Sequence, residues 1–152
     1  IELGLVGQLT NRLTGQVGFT VMDAEVLESN VPENIGKTLS NFADRSAFAQ
    51  LRYQATSKFA FGVAGKYQSE KFAGQPDSAA ATNAEGKYSQ PIPSYTVFDL
   101  FATYKFTNQL DARLNIGNVT DRDYYLAGYR SGSFLYKGDA RNVRLTLNYE
   151  FY

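Results

Sequence analysis

Cysteine, histidine and tryptophan are absent from this 152-residue chain, and methionine occurs once. Without cysteine there is no disulfide. Without thiol or imidazole, the usual zinc and copper sites and a Ser-His-Asp triad cannot be built from these residues alone. No charge of one sign dominates: Lys+Arg and Asp+Glu number 15 each. They are interspersed, so there is neither a charged tail nor the basic face that nucleic-acid binding needs. No apolar run approaches the roughly 18 residues of a transmembrane helix, and no signal peptide is visible. The chain starts at Ile1, not Met, inside what reads as a strand. It is therefore expected to be a fragment of a longer chain, and a missing leader then says nothing about location.

Tyr and Phe number 11 each and Gly 13. They accompany a period of two, the signature of a strand with unlike faces. Ile1, Leu3, Leu5 and Leu9 alternate with Glu2, Gly4, Val6 and Gln8. The same pattern runs through residues 16–25, 47–55 and 59–68. It is cleaner in the last three runs. Residues 96–106 place Phe98, Leu100, Ala102, Tyr104 and Phe106 opposite Asp99, Thr103 and Lys105, with Val97 and Phe101 as exceptions on the polar side. Residues 110–116 oppose Leu110, Ala112, Leu114 and Ile116 to Asp111, Arg113 and Asn115. Residues 143–151 oppose Val143, Leu145, Leu147, Tyr149 and Phe151 to Arg144, Thr146, Asn148 and Glu150. Most of these runs approach the roughly 9–11 residues that a tilted membrane strand requires.

The connections alternate in length. Short turns are expected at Asn11-Arg12-Leu13-Thr14, Thr56-Ser57-Lys58 and Thr107-Asn108-Gln109, and long loops over about 27–44, 73–93 and 127–139. A soluble sandwich also alternates, because one face of each sheet is solvated. Two features favour a membrane barrel. Short turns alternating with long loops are the barrel pattern. The apolar face also ends in Tyr53, Phe59, Tyr104, Phe106, Tyr149 and Phe151, next to a short turn or the C-terminus, like an interfacial girdle.

Four pieces carry a family likeness: Gly7-Gln8-Leu9-Thr10-Asn11-Arg12-Leu13-Thr14 with Gly18–Glu25; Tyr95–Phe106; Leu114–Tyr125, with its Asn118-x-x-Asp121-x-x-Tyr124 ending; and Gly138–Phe151. In this order they resemble the TonB-dependent outer-membrane siderophore receptors, and Tyr129–Asp139 resembles the catecholate-siderophore subgroup. The usual lipid-facing terminal aromatic is offset, since Phe151 has the apolar parity and Tyr152 follows it. The resemblance implies an all-β fold, a transmembrane antiparallel up-and-down β-barrel. Residues 1–152 would be its C-terminal segment, the last seven strands of about 22 around a plugged lumen. The plug domain and TonB box would lie outside this chain. The implied function is import of a ferric siderophore across the outer membrane of a Gram-negative bacterium. Energy would come from TonB–ExbB–ExbD through the N-terminal part. There would be no enzyme activity, no cofactor and no metal site, iron being cargo. The other partners would be outer-membrane lipid and no nucleic acid. Alternatives are a passive porin-type or adhesin barrel without a plug, a barrel enzyme supplied with His from elsewhere, and a soluble β domain.

Asp99, Lys105, Asp111, Arg113, Arg144 and Glu150 read first as a cross-strand ladder on the lumen side, and second as contacts to a plug. Asn118-Val119-Thr120 matches a glycosylation pattern by chance, and Asp121-Arg122-Asp123 reads as a polar turn, not a calcium loop. The candidate ligand residues are Tyr125, Tyr129, Arg130, Phe134, Tyr136 and Lys137, around the last long loop. A ferric catecholate is a flat-faced aromatic anion, which cations and aromatic rings can hold.

Overall fold

The computed structural model describes residues 1–74, 90–129 and 134–151. Seven long strands form one antiparallel sheet: β1 (Glu2–Thr10), β2 (Leu13–Val21), β3 (Arg45–Gln54), β4 (Phe59–Gln68), β7 (Tyr95–Lys105), β8 (Leu110–Gly117) and β11 (Asn142–Tyr149). Each pairs with the next in the order β1-β2-β3-β4-β7-β8-β11, an up-and-down meander with β1 and β11 as its edges. Four shorter strands lie in the long connections: β5 (Lys71–Ala73), β6 (Gln90–Ile92), β9 (Tyr125–Tyr129) and β10 (Phe134–Lys137). A 3-10 turn at Pro32–Asn34 and a bridge between Glu25 and Thr38 shape the first connection.

The register makes the two faces continuous. Leu5 lies opposite Val17, Val17 opposite Ala49, Leu51 opposite Val63, Val63 opposite Leu100, Leu100 opposite Ile116, and Leu114 opposite Leu145. Because side chains alternate across a strand, a slip of one residue anywhere would break this band. The apolar face is left bare: Leu145 and Leu147 are 65% and 64% exposed. A water-soluble sheet buries such a face; a lipid-facing one does not need to.

The two exceptions on the polar face are explained by their neighbours. Phe101 lies opposite Gly62, and its ring fills the space where a side chain at Gly62 would go. Val97 is buried.

At one end of the sheet the strands are joined by short turns, and each uses the same device. The Oγ of Thr10 accepts hydrogen bonds from the backbone N–H of Arg12 (3.3 Å) and Leu13 (3.0 Å). Thr56 does the same for Lys58 and Phe59, and Thr107 for Gln109 and Leu110. A threonine hydroxyl that caps N–H groups two and three residues on stabilises a tight turn. Beside these turns, rings follow one another along the apolar face. Tyr53 meets Phe61 at 5.7 Å, Phe59 meets Phe61 at 5.8 Å, and Tyr104 meets Phe106 at 4.9 Å. The expected girdle is present.

The structure corrects three expectations. The first turn is only Asn11-Arg12, since Leu13 and Thr14 already belong to β2. That strand ends at Val21, not Glu25. The second and third long connections are not plain loops; their ends pair as β5–β6 and β9–β10.

Candidate ligand-binding mouth

The long connections gather at the opposite end of the sheet, and they are tied to one another. Asn41, in the first connection, has φ 66. Its side-chain amide donates to the carbonyl of Gly128 (2.9 Å) and accepts from the N–H of Gly128 (2.7 Å), pairing with β9 as a strand would. Its own N–H donates to the carbonyl of Phe72 on β5. Lys71, also on β5, donates to the carbonyl of Leu126 on β9 and to Oε1 of Gln68 (3.0 Å). Three connections thus meet around one small core that includes Lys71, Ala73, Ile92 and Gly128.

Lys71 is only 2% exposed and stands 5.9 Å from the centre of the Tyr95 ring. Burial, and then the neighbouring Lys66, hold its pKa below the ordinary lysine value. Its partners among the described residues are neutral oxygens and a ring face. Such contacts offset part of the cost of burying an ammonium group.

Lys71 also fixes which way the last hairpin faces. Gln68 and Tyr95 are register partners on the polar face, and the Tyr95 hydroxyl donates to Gln68 (2.8 Å). Lys71 bonds to that same Gln68, so its side chain lies on the polar side. Ala73, two residues on, and Ile92, the cross-strand partner of Lys71, share that side. Gly128 sits on them: a Cβ there would come 2.4 Å from Cβ of Ala73 and 3.3 Å from Cδ1 of Ile92. The β9–β10 hairpin therefore folds inward over the polar face of β5–β6.

The placement of the candidate residues follows. Gly128 and its partner Leu135 face the seat. Tyr129 and Phe134 are partners on the other face, as are Ala127 and Tyr136. That face turns away from the seat. Tyr129 and Phe134 have ring centres 6.4 Å apart. Phe134 and Tyr136 are well exposed, and Tyr125, at the foot of the hairpin, is partly so. Four of the six candidates are therefore brought to one hairpin as exposed aromatic surface. Lys137 is opposite Tyr125, but its Nζ already contacts Asp123 at 2.6 Å. That hydrogen bond, and then the charge of Asp123, raise its pKa. Arg130 lies outside the described residues.

Below the hairpin, the Asn118-x-x-Asp121-x-x-Tyr124 motif acts as its footing. Buried Asn118 has φ 47. It donates through Nδ2 to the carbonyls of Arg122 (2.8 Å) and Asp139 (3.0 Å), and accepts at Oδ1 from the N–H of Arg122. Its N–H donates to Asp99 on β7 (2.7 Å). Asp121 accepts from the N–H of Arg141 (2.8 Å). Tyr124 packs tilted against Tyr95, ring centres 4.6 Å apart, and fills the space beside Gly138 so closely that a Cβ there would lie 2.0 Å from its ring. Burial, then Asp139 and Asp99, raise the Tyr124 pKa. Asp121-Arg122-Asp123 is thus part of a braced turn, and no metal-ligand cluster occurs among the described residues. Sequence reading missed Asn41, Lys71 and Gly128. They belong to three different connections, and no local pattern links them.

The polar ladder is met in part. Lys105 is opposite Asp111, and Asn148 donates to Asp111 (3.0 Å). Arg113 donates to Asn115 (3.2 Å), while Asp99 serves the Asn118 footing instead.

A meander with a bare apolar face, a polar inner face, short capped turns at one end and braced long connections at the other is the wall of an outer-membrane β-barrel. The family model described as "TonB dependent receptor-like, beta-barrel" matches residues 1–119. The chain belongs to the TonB-dependent receptors, which are receptors and transporters of the Gram-negative outer membrane and not enzymes. It is 29% identical over 153 residues to the "Probable TonB-dependent receptor BfrD" of Bordetella pertussis, spanning 99% of this chain and 20% of that protein. The match to the "Probable TonB-dependent siderophore receptor PiuA" of Acinetobacter baumannii is 26% over 99% of this chain and 20% of that one. The solved closed form of the ferric-catecholate import receptor Fiu from Escherichia coli K12 superposes with a TM-score of 0.79 at 24% identity, over 99% of this chain and 20% of that one. The chain spans about one fifth of the length of these relatives.

Proposed function

We propose that the protein of which this chain forms part imports a ferric siderophore of the catecholate kind through the outer membrane. The hairpin β9–β10 would present its aromatic face to the cargo at the mouth. The carrying observation is the seating of Gly128 on Ala73 and Ile92, which leaves Tyr129, Phe134 and Tyr136 as exposed aromatic surface on the other face of the hairpin. The names of the relatives PiuA and Fiu, a siderophore receptor and a catecholate receptor, support this cargo class. Flat, electron-rich rings suit flat catechol rings, and Arg130 supplies the cation that an anionic complex needs. Lys137 contributes less, because a cargo anion has to displace Asp123 from it. Transport breaks no covalent bond and uses no resident cofactor. Work on the plug would come from TonB–ExbB–ExbD through the N-terminal part of the receptor.

The test is the double substitution Arg130→Ala with Tyr136→Ala in the full-length receptor. A charge-assisted contact contributes on the order of 1.5–3 kcal/mol, so the affinity for a ferric catecholate should fall roughly tenfold or more. Barrel assembly, read by heat-modifiable gel mobility, should be unchanged. Full affinity and uptake in an assembled double mutant would place recognition elsewhere in the receptor.

A further inference from the structure

The two strands of the aromatic hairpin are short. β9 has five residues and β10 four, and their pairing is interrupted between Tyr136 and Lys137. An isolated two-stranded hairpin is marginally stable at best. What holds it at one angle lies in the other two connections: the reciprocal bonds of Asn41 to the Gly128 backbone, the Lys71 bond to the Leu126 carbonyl, and the close seat of Gly128 on Ala73 and Ile92. None of these side chains belongs to the aromatic face. Each acts on the backbone of β9, and so on the direction in which that face points.

We propose that Asn41, Lys71 and the Ala73–Gly128 seat are the positioning elements of the mouth, setting affinity for cargo by holding the aromatic face of β9–β10 inward. The inference rests on the reading of that face as the cargo contact. Its physical basis is pre-organisation: a binding surface already held in its bound orientation spends less of its interaction energy on ordering. Lys71 suits the task because a buried ammonium group depends on the protein oxygens that hold it, among the described residues the Leu126 carbonyl and the Gln68 amide oxygen. Asn41 suits it because a backbone N–H and a backbone carbonyl are both satisfied by one side chain, which fixes a strand without requiring a neighbouring strand.

The seat allows a test by steric exchange in the full-length receptor. Gly128→Ala places a methyl group against Ala73 and should lower the affinity for a ferric catecholate about tenfold, with unchanged assembly. Adding Ala73→Gly removes the opposing methyl group and should restore affinity to within about twofold of wild type. Asn41→Ala should weaken binding in the same way. In a double-mutant cycle with Tyr136→Ala, its effect should largely vanish, because a face that no longer contacts cargo gains nothing from being held. Wild-type affinity in Gly128→Ala, or failure of Ala73→Gly to rescue it, would overturn the proposal. So would additive losses in the cycle, which a merely structural role predicts. If Tyr136→Ala itself leaves affinity intact, the reading of the face fails instead, and the two failures are distinguished.

Discussion

At the residue scale, the chain separates side chains by what lies beyond them. Leu145 and Asn148 are three residues apart on β11, yet Leu145 continues the bare apolar band beside Leu114, while Asn148 hydrogen-bonds Asp111 on the inner face. An arginine near the bilayer midplane on a barrel's lipid face costs about 2–4 kcal/mol. Leu145→Arg should therefore lower the folding stability of the full receptor in lipid by that amount. Asn148→Arg should be tolerated, since it faces Asp111 and the lumen. Thr146 is a poorer control, because it lies opposite Arg113 and an arginine there would meet a like charge. Equal losses at 145 and 148 in an unfolding titration would contradict the assignment of faces. The residues that brace the mouth follow a different logic. Asn118 is a left-handed corner whose amide bonds the carbonyls of Arg122 and Asp139 in the third connection, and an Asn in that conformation is less strained than most side chains.

At the scale of elements, the spanning strands were legible because period two is a strong signal when one face meets lipid and the other water. Although their exact pairing is visible only in the structure, because a slip of two residues keeps the same faces, the facing of each side chain was legible for the same reason. The hairpin β9–β10 was not. Tyr125, Leu126, Ala127 and Tyr129, with Phe134, Leu135 and Tyr136, are apolar or aromatic on both faces, one face seating on β5–β6 and the other exposed. No alternation distinguishes such a segment from a loop. The contacts of Asn41 and Lys71 with it join residues 87 and 55 positions apart, which local pattern cannot reveal. The short turns were placed by spacing, but their shared mechanism becomes visible only with the hydroxyl geometry. Each threonine that caps a turn should contribute about 0.5–1.5 kcal/mol. Thr107→Val should remove that amount in an equilibrium unfolding experiment, and Thr107→Ser, which keeps the hydroxyl, should retain most of it. Identical stability of the valine and serine variants would show that the hydroxyl is not what holds the turn.

At the scale of the molecule, seven strands form an open sheet with two unpaired edges, β1 and β11. In lipid every backbone polar group needs a partner, so these edges must be met by other strands of a closed barrel. The braced connections then stand at one rim and the threonine-capped turns at the other. Their disparity in length is the outer-membrane barrel pattern, in which long connections are extracellular and short turns periplasmic. The proposed uptake through the aromatic mouth depends on that orientation. It is tested most directly by single cysteines in the full-length receptor on intact cells, probed with a membrane-impermeant thiol reagent; this chain has no cysteine of its own to interfere. Glu28→Cys and Asp123→Cys, on exposed positions of the first and third connections, should label, while Ser57→Cys and Asn108→Cys should label only after the outer membrane is permeabilised. Labelling of Ser57→Cys and Asn108→Cys on intact cells, with Glu28→Cys and Asp123→Cys protected, would contradict the account by placing the aromatic mouth in the periplasm.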